Sequence, residues 1–140
     1  MYELDENTER CKRIAEELEN YYNGKIYRCP DCEAEIEIDT EEEKHTCPCC
    51  GKEIDIENAE QLSLWDYFTC DIYNIEYRCD GSKEYRSVQV MIACGGPNIY
   101  IDTASEDVEL YWWSDNARWP IAREVIEEID CIFEEQFNCI

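Results

Sequence analysis

The sequence predicts an α+β fold in which a helix near each end flanks a run of antiparallel strands. Apolar residues recur every three or four positions near both ends, as on one face of a helix, and alternate with polar residues in between, as in strands. The 140-residue chain also carries ten Tyr, four Trp and three Phe, which is enough apolar surface for a core despite a formal charge of −23.

The first helix is predicted from about Asp5 to Tyr22. Asp5 or Asn7 can cap its start, and Gly24 supplies a stop after its end. Spacings of three and four residues predict one apolar stripe, formed by Cys11, Ile14, Ala15, Leu18, Tyr21 and Tyr22.

The pattern changes between residues 25 and 58, where two cysteine pairs each precede a short alternating run. Such alternation predicts two strands with one apolar and one acidic face, paired with each other as a hairpin across the acidic connector 40–44. The acidic positions are Glu33, Glu35, Glu37 and Asp39 on the first strand, and Glu53, Asp55 and Glu57 on the second.

The remaining chain predicts a short helix at Gln61–Thr69, a four-stranded antiparallel meander, and a C-terminal helix packed on it. Turn-forming residues separate the four strands, predicted at Tyr73–Cys79, Tyr85–Cys94, Asn98–Thr103 and Val108–Trp113. The last helix is predicted to start at Pro120, because proline favours the first helical position. The chain thus divides into an N-terminal helix (1–25), a cysteine-rich module (26–58) and a sheet-plus-helix domain (59–140).

The two cysteine pairs predict a zinc site. They form the motifs Cys29-Pro30-Asp31-Cys32 and Cys47-Pro48-Cys49-Cys50-Gly51, separated by fourteen residues. Two such motifs deliver the four thiolates that tetrahedral zinc requires, and four protein ligands leave no open position, so the zinc is expected to be structural. The predicted ligands are Cys29, Cys32, Cys47 and Cys50. Residues 26–57 resemble a zinc ribbon with rubredoxin-like knuckles.

Two other side chains compete for a place in this ligand set. Cys49 lies between Cys47 and Cys50, although a Cys47/Cys49 pair has poorer spacing. His45 could replace a thiolate, but its spacing fits less well, and an exposed position on the hairpin is the favoured interpretation. Whether Cys49 or His45 substitutes for one of the four is left open by the sequence.

The charge restricts the classes of partner. Nucleic-acid affinity comes largely from cations that neutralise phosphates, so direct binding of DNA or RNA is disfavoured. The sequence contains no run of about 20 apolar residues, so no transmembrane helix is predicted. The N-terminus lacks the basic start and the apolar stretch of a signal peptide. A cytoplasmic protein is therefore expected.

Rows of carboxylates suggest what the charge is for. Same-face residues on a strand lie about 6.6 Å apart, comparable with the spacing of phosphates along a nucleic-acid backbone. The last helix adds a row at three- to four-residue spacings, Glu124, Glu127, Glu128, Glu134 and Glu135. One of the neighbours Trp112 and Trp113 must face away from the core, because adjacent residues of a strand point to opposite faces, and with Tyr111 and Trp119 it is predicted to form an aromatic contact patch. The predicted partner-binding residues are Glu33, Glu35, Glu37, Asp39, Glu53, Asp55, Glu57, Glu124, Glu127, Glu128, Trp113 and Trp119.

A second resemblance concerns the C-terminal region, residues 62–140. It is carried by Leu64-Trp65-Asp66-Tyr67-Phe68, by the segment from Met91 to Thr103, and by Leu110-Tyr111-Trp112-Trp113. These segments are similar to small acidic proteins of phages and mobile elements of gut Firmicutes. The resemblance implies a genomic context, and small acidic proteins from such elements often resemble DNA mimics that block restriction enzymes or CRISPR effectors. If a phage encodes the protein, the expected location is the cytoplasm of the host cell.

The leading expectation is an inhibitory protein that mimics nucleic acid and blocks the nucleic-acid-binding site of a basic host defence protein, such as a CRISPR effector or a restriction enzyme. The alternative is a zinc-ribbon adaptor that binds its partner protein through the aromatic patch. An enzyme is not expected, because the chain has one histidine, no nucleophile motif and no open metal position.

Overall fold

In the computed structural model, which describes residues 5–38, 44–69 and 72–140, helices and antiparallel sheets combine as an α+β fold. The elements follow the chain in the order α1 (Glu6–Tyr22), β1 (Ile26–Arg28), β2 (Glu35–Glu37), β3 (Lys44–Thr46), β4 (Glu53–Asp55), a 3₁₀ turn (Ile56–Asn58), β5 (Glu60–Gln61), α2 (Leu64–Phe68), β6 (Asn74–Cys79), β7 (Tyr85–Ala93), β8 (Asn98–Asp102), β9 (Asp107–Trp112), β10 (Asp115–Pro120) and α3 (Arg123–Asn138).

Helix α1 starts and ends as its capping residues dictate. The Asp5 carboxylate accepts a hydrogen bond from the Thr8 N–H at 2.7 Å, which satisfies one of the unpaired amides of the first turn. Beyond the last turn, Gly24 adopts a φ of +72°, and a Cβ there would lie 2.4 Å from Nε2 of Gln61. That amide donates to the Gly24 carbonyl at 2.8 Å, so glycine is required for both conformation and space.

The main sheet has five strands in the order β10-β9-β8-β7-β6, and every neighbouring pair is antiparallel. The prediction of a four-stranded meander is wrong, because the sheet has a fifth strand, β10, at its edge. Its residues Asp115, Asn116, Ala117 and Arg118 have weak strand propensity, so β10 owes its place to pairing with β9 and to burial of Ala117. Pro120 ends this strand, where an edge position tolerates it, and does not start the last helix.

Both long helices pack on one face of this sheet. The buried stripe of α1 (Cys11, Ala15, Leu18 and Tyr21) and that of α3 share one core with apolar side chains of β7, β8 and β9. Edge-to-face rings extend this core from Tyr21 through Tyr67 and Phe68 to Phe133 on α3, with centroids 5.1–5.3 Å apart. Helix α1 therefore belongs to the same packed unit as the sheet.

The opposite face of the sheet carries ion pairs. Arg78 on β6 makes a bidentate contact with Asp102 on β8, at 2.9 and 2.8 Å, across the intervening β7. Burial alone would raise the pKa of Asp102, but Arg78 and the Ala104 N–H outweigh it and hold the pKa below its ordinary value. On the neighbouring strands, Arg118 reaches Glu109 at 2.9 Å. These pairs fix the strands of the meander relative to one another.

The cysteine-rich segment forms two short hairpins. Strand β2 pairs with β1, which also pairs with β5, and β4 pairs with β3. The predicted pairing of the two acidic runs with each other is wrong, because each run returns onto the strand that precedes its own cysteine pair. Both tight turns that close these hairpins are cysteine motifs, so each hairpin is folded by its own motif.

A small second core lies between the two hairpins. It contains Cys29, Ile36, Ile38, Cys47 and Ile54. Strand β1 joins it to the main core, since Ile26 packs in the main core and Cys29, three residues later, packs in the small one. Among the described residues, no helix combines the length and the apolar composition that crossing a membrane requires.

Candidate functional site

The two cysteine motifs fold into matching turns. In the first, the Glu33 N–H donates to the Cys29 carbonyl at 2.9 Å. In the second, the Gly51 N–H donates to the Cys47 carbonyl at the same distance. Glu33 and Gly51 occupy the same place after the second cysteine, and both are left-handed, with φ of +63° and +74°. The two turns are therefore equivalent knuckles that present their sulfurs in the same manner.

The four predicted ligand sulfurs meet between the knuckles. The ligand atoms of Cys29, Cys32, Cys47 and Cys50 all lie within 4.8 Å of one another. The closest contacts run between knuckles, with Sγ–Sγ distances of 3.8 Å for Cys29–Cys50 and 3.6 Å for Cys32–Cys47. Four sulfurs around a zinc ion at ~2.3 Å form a tetrahedron with edges of about 3.8 Å. This group of thiols fits a metal ion such as zinc.

Neither of the two competing side chains joins this group. Cys49 is exposed and lies outside the four-sulfur cluster. His45 lies on β3 opposite Ile54 and is also outside the cluster. Among the described residues, the geometry therefore favours the ligand set predicted from the spacing alone.

The protein polarises these thiols. Backbone N–H groups of Cys50 and Cys49 point at the Cys47 sulfur and lower the pKa of its thiol to about 6. The Ala34 N–H acts in the same sense on Cys32, but burial and the three neighbouring sulfurs outweigh it and raise the pKa of Cys32 to about 12. Four sulfurs this close cannot all ionise without a cation, so a divalent ion would release the protons they retain.

The predicted acidic residues of this region are less uniform than the alternation suggested. Glu37 and Glu57 are exposed, whereas the Glu35 carboxylate accepts a hydrogen bond from the Tyr21 hydroxyl of α1. Burial is the main cause that raises the pKa of the Tyr21 hydroxyl, and its hydrogen bond to the Glu35 carboxylate raises this pKa further, so the hydroxyl stays protonated. Glu33 lies in the first knuckle, not on β2. Asp39 lies outside the described residues.

The second acidic run is also partly engaged. Glu53 lies 3.7 Å from the Lys44 ammonium on the neighbouring strand. Asp55 accepts the Glu57 N–H at 3.1 Å and so caps the 3₁₀ turn. Since β2 and β4 belong to different sheets, the two runs do not form the single charged face that was predicted.

The carboxylates of α3 lie in two groups on one side of the helix, since Glu134 and Glu135 follow Glu127 and Glu128 by seven positions, about two turns. All five members, the α3 row, are exposed along the helix side away from the core: Glu124, Glu127, Glu128, Glu134 and Glu135. Among the ion pairs between described residues, only Glu127 of this row takes part, at 3.6 Å from Arg123. The α3 row is thus largely uncompensated within the described residues.

The predicted aromatic patch divides between two locations. Trp113 is 90% exposed at the turn between β9 and β10, beside Trp112 and Tyr111, which are 38% and 37% exposed. Trp119 is half-buried against the main core, with the Lys12 ammonium 5.5 Å from its ring centroid. Trp112 was missed as a surface residue because strand alternation predicts that only one of two neighbouring tryptophans faces outward.

Protein-family models, curated proteins and solved structures were compared with the chain, and none matches it. The resemblances of residues 26–57 and 62–140 therefore have only the residues quoted for them as support. For the first, the clustered cysteines agree with a zinc-ribbon-like site. For the second, no relationship to phage proteins follows from the comparisons.

Proposed function

We propose that this protein is a non-catalytic inhibitor that mimics nucleic acid and occupies the nucleic-acid-binding site of a basic host defence protein, such as a CRISPR effector or a restriction enzyme. Its formal charge of −23 would steer it toward a positive channel and repel it from nucleic acid. The site of action would be the cytoplasm of the host cell.

The observation that carries this proposal is the α3 row. Glu124 lies three positions before Glu127 and four before Glu128, and carboxylates so placed on a helix lie about 5–6 Å apart, a spacing comparable with that of backbone phosphates. Glu134 and Glu135 repeat the pair Glu127 and Glu128 seven positions later, about two helical turns along the axis. The row is exposed and stands on a helix whose other side is buried in the main core, which holds the charges in a fixed array. Lysines or arginines lining a nucleic-acid channel could pair with such an array.

The metal would serve the scaffold. We infer that Cys29, Cys32, Cys47 and Cys50 hold one zinc ion, because their sulfurs approach the edge length of a zinc–thiolate tetrahedron. Such an ion would supply structural stabilisation to two hairpins that share only a small apolar core. Four thiolates complete the coordination, so the proposal assigns the ion no chemistry beyond this.

The α3 row can be tested by neutralising it. A triple variant, Glu124→Gln, Glu128→Gln and Glu135→Gln, is expected to weaken binding to the target at least about tenfold, because several charge pairs are lost together. Targets are found by pull-down from host lysate with and without competing duplex DNA. Binding to each purified target, and inhibition of its DNA cleavage, are then measured from 0.1 to 0.5 M salt.

The matched control removes three carboxylates elsewhere. Glu16, Glu19 and Glu84 are exposed and lie outside the α3 row, so Glu16→Gln, Glu19→Gln and Glu84→Gln change the net charge equally. This control is expected to change the affinity less than about threefold. Equal losses for both triple variants, or binding that neither DNA nor salt reduces, would contradict nucleic-acid mimicry.

A second function is favoured by Trp113. Its exposure at a turn suits an adaptor that binds a partner protein through aromatic contacts, with zinc again structural. For the adaptor, Trp113→Ala should abolish partner binding while the α3 triple variant retains it. The α3 triple variant thus separates the two functions, because mimicry expects it to lose binding and the adaptor expects it to retain binding.

A further inference from the structure

The turn between β9 and β10 presents an aromatic surface that the fold does not bury. We call Tyr111, Trp112 and Trp113 the tip patch. The two indole rings stand edge to face, with centroids 6.0 Å apart and an angle of 83° between their planes. Two perpendicular rings form two walls of a corner, with the face of at least one ring available to a ligand.

The backbone at Trp113 is strained. Asp115 pairs with Trp112, so Trp113 and Ser114 form a two-residue hairpin turn, and Trp113 takes a φ of +56°. Glycine is favoured at such a position because any Cβ is crowded in the left-handed region. A large apolar side chain here costs conformational energy and, at 90% exposure, recovers little of it by burial.

A cleft opens beside this patch. It has a volume of about 440 Å³, within the range of ligand pockets. Among the described residues, its lining comes from the start of α1 and from both strands of the hairpin, namely Asp5, Glu6, Asn7, Trp112, Asp115 and Asn116. Asp5 is ionised, since the Thr8 N–H lowers its pKa. An indole wall therefore faces carboxylates across a space that a side chain can enter.

An indole ring and carboxylates that line the same cleft favour one kind of ligand, a planar cation. An anion such as a nucleic acid would meet repulsion from Asp5, Glu6 and Asp115, and an apolar surface would desolvate them without compensation. A guanidinium ion satisfies both walls, because it stacks on an aromatic face and donates hydrogen bonds to a carboxylate at the same time.

We propose that the tip patch and its cleft bind an arginine side chain of a basic partner protein. This inference rests on the proposed function only in that the partner is basic. The arginine would stack on Trp112 or Trp113 and pair with Asp115 or with the carboxylates at the start of α1. The tip patch would then supply a specific anchor, whereas the α3 row supplies charge spread along a helix.

The probe is a tetra-arginine peptide, titrated into the zinc-loaded 140-residue protein. The indole N–H resonances of Trp112 and Trp113 are followed by NMR and are expected to shift and saturate. Trp113→Gly, which suits the left-handed turn, and Asp115→Asn should each raise the dissociation constant about three- to fivefold. Tetra-lysine should bind more weakly than tetra-arginine, because an ammonium ion cannot stack as a plane.

Two controls separate this site from general charge attraction. Glu84→Gln removes an exposed carboxylate that lies outside both the α3 row and the tip patch, and Trp65→Ala removes an indole that is 47% exposed on α2. Neither is expected to change the tetra-arginine affinity. Equal losses of tetra-arginine affinity with Glu84→Gln, or equal shifts of the Trp65 indole resonance, would overturn the proposal. Stronger binding of tip-patch indoles to anionic vesicles than to tetra-arginine, or shifts that follow self-association, would also overturn it in favour of another occupant.

The proposed function and this inference can fail separately. If the α3 triple variant keeps full inhibition of the target while tetra-arginine still binds the tip patch, nucleic-acid mimicry fails and the arginine site remains. If the α3 triple variant loses inhibition while Trp113→Gly changes neither peptide binding nor inhibition, the arginine site fails and mimicry remains.

Discussion

At the residue scale, the two knuckles require the same left-handed backbone conformation at one position, and different residues occupy that position in the two knuckles. Each needs a left-handed residue after its second cysteine. Gly51 supplies it without strain, whereas Glu33 supplies it with a side chain that crowds the backbone. Glu33 was predicted on a strand because alternation counts only polarity, and alternation does not register the turn that the motif imposes. The same motif correctly predicted the four clustered cysteines, since ligand spacing is local.

This difference predicts opposite effects of two substitutions. Glu33→Gly should relieve about 1 kcal/mol of left-handed strain, and Gly51→Ala should introduce a similar amount. Because zinc affinity reports the folding of the knuckles, the apparent zinc affinity should rise about fivefold in the first and fall about fivefold in the second. Competition with a chromophoric chelator measures both. Gly81→Ala, at a position with open space and no left-handed φ, is the control. Equal affinities for all three variants would refute the account.

At the element scale, the sequence predicted helices and strands better than it predicted their partners. Four of the five strands of the main sheet were placed within one or two residues, because β6 to β9 alternate clearly and are separated by turn residues. Strand β10 was missed because Asn116 and Arg118 are held by pairing with β9 rather than by their own propensity. The pairing of the acidic strands was mispredicted for a related reason. The alternation of apolar and polar residues shows that one face of a strand is buried. It does not show which neighbouring strand forms the backbone hydrogen bonds with it.

The Arg78–Asp102 pair yields a prediction at the same scale, because it joins β6 to β8 across β7. Asp102 is only 5% exposed, so Arg78→Ala leaves a buried carboxylate without its partner and should cost about 2 kcal/mol at pH 7. The pKa of Asp102 is lowered in the folded state. Its stabilisation is therefore present above the unfolded pKa, ~3.9, and is lost as the pH falls through the folded value.

Urea unfolding of both proteins between pH 7 and pH 2.5 measures this difference, which should shrink below about pH 4. Arg86→Ala is the matched control, because the arginine of the Arg86–Asp80 pair is largely exposed. The control should cost less than about 1 kcal/mol at every pH. A cost for Arg78→Ala that stays constant down to pH 2.5 would show that packing, not the ion pair, is responsible.

At the scale of the whole molecule, the chain has two cores of different origin. The main core joins α1, α2, α3 and the five-stranded sheet through many large apolar side chains. The small core holds five buried residues, and two of these, Cys29 and Cys47, belong to the four-cysteine cluster. So few apolar contacts bury little area, and the zinc ion that we propose for the cysteine cluster would supply much of the stability of this part.

Metal removal should therefore unfold one core and spare the other. After chelation, amide hydrogen exchange within residues 29–38 and 44–56 should approach the unfolded rate, while Val88 and Val90 in the sheet keep their protection. Cys32→Ser should reproduce this pattern in the presence of zinc, and Cys49→Ser should not, because Cys49 lies outside the cluster.

Since the α3 row stands on the main core, the chelated protein should still inhibit its target with an affinity within about threefold of the zinc-loaded protein. Loss of protection throughout the sheet would show instead that the two cores fold as one unit. Loss of inhibition with the sheet intact would move the binding surface from α3 to the acidic hairpins.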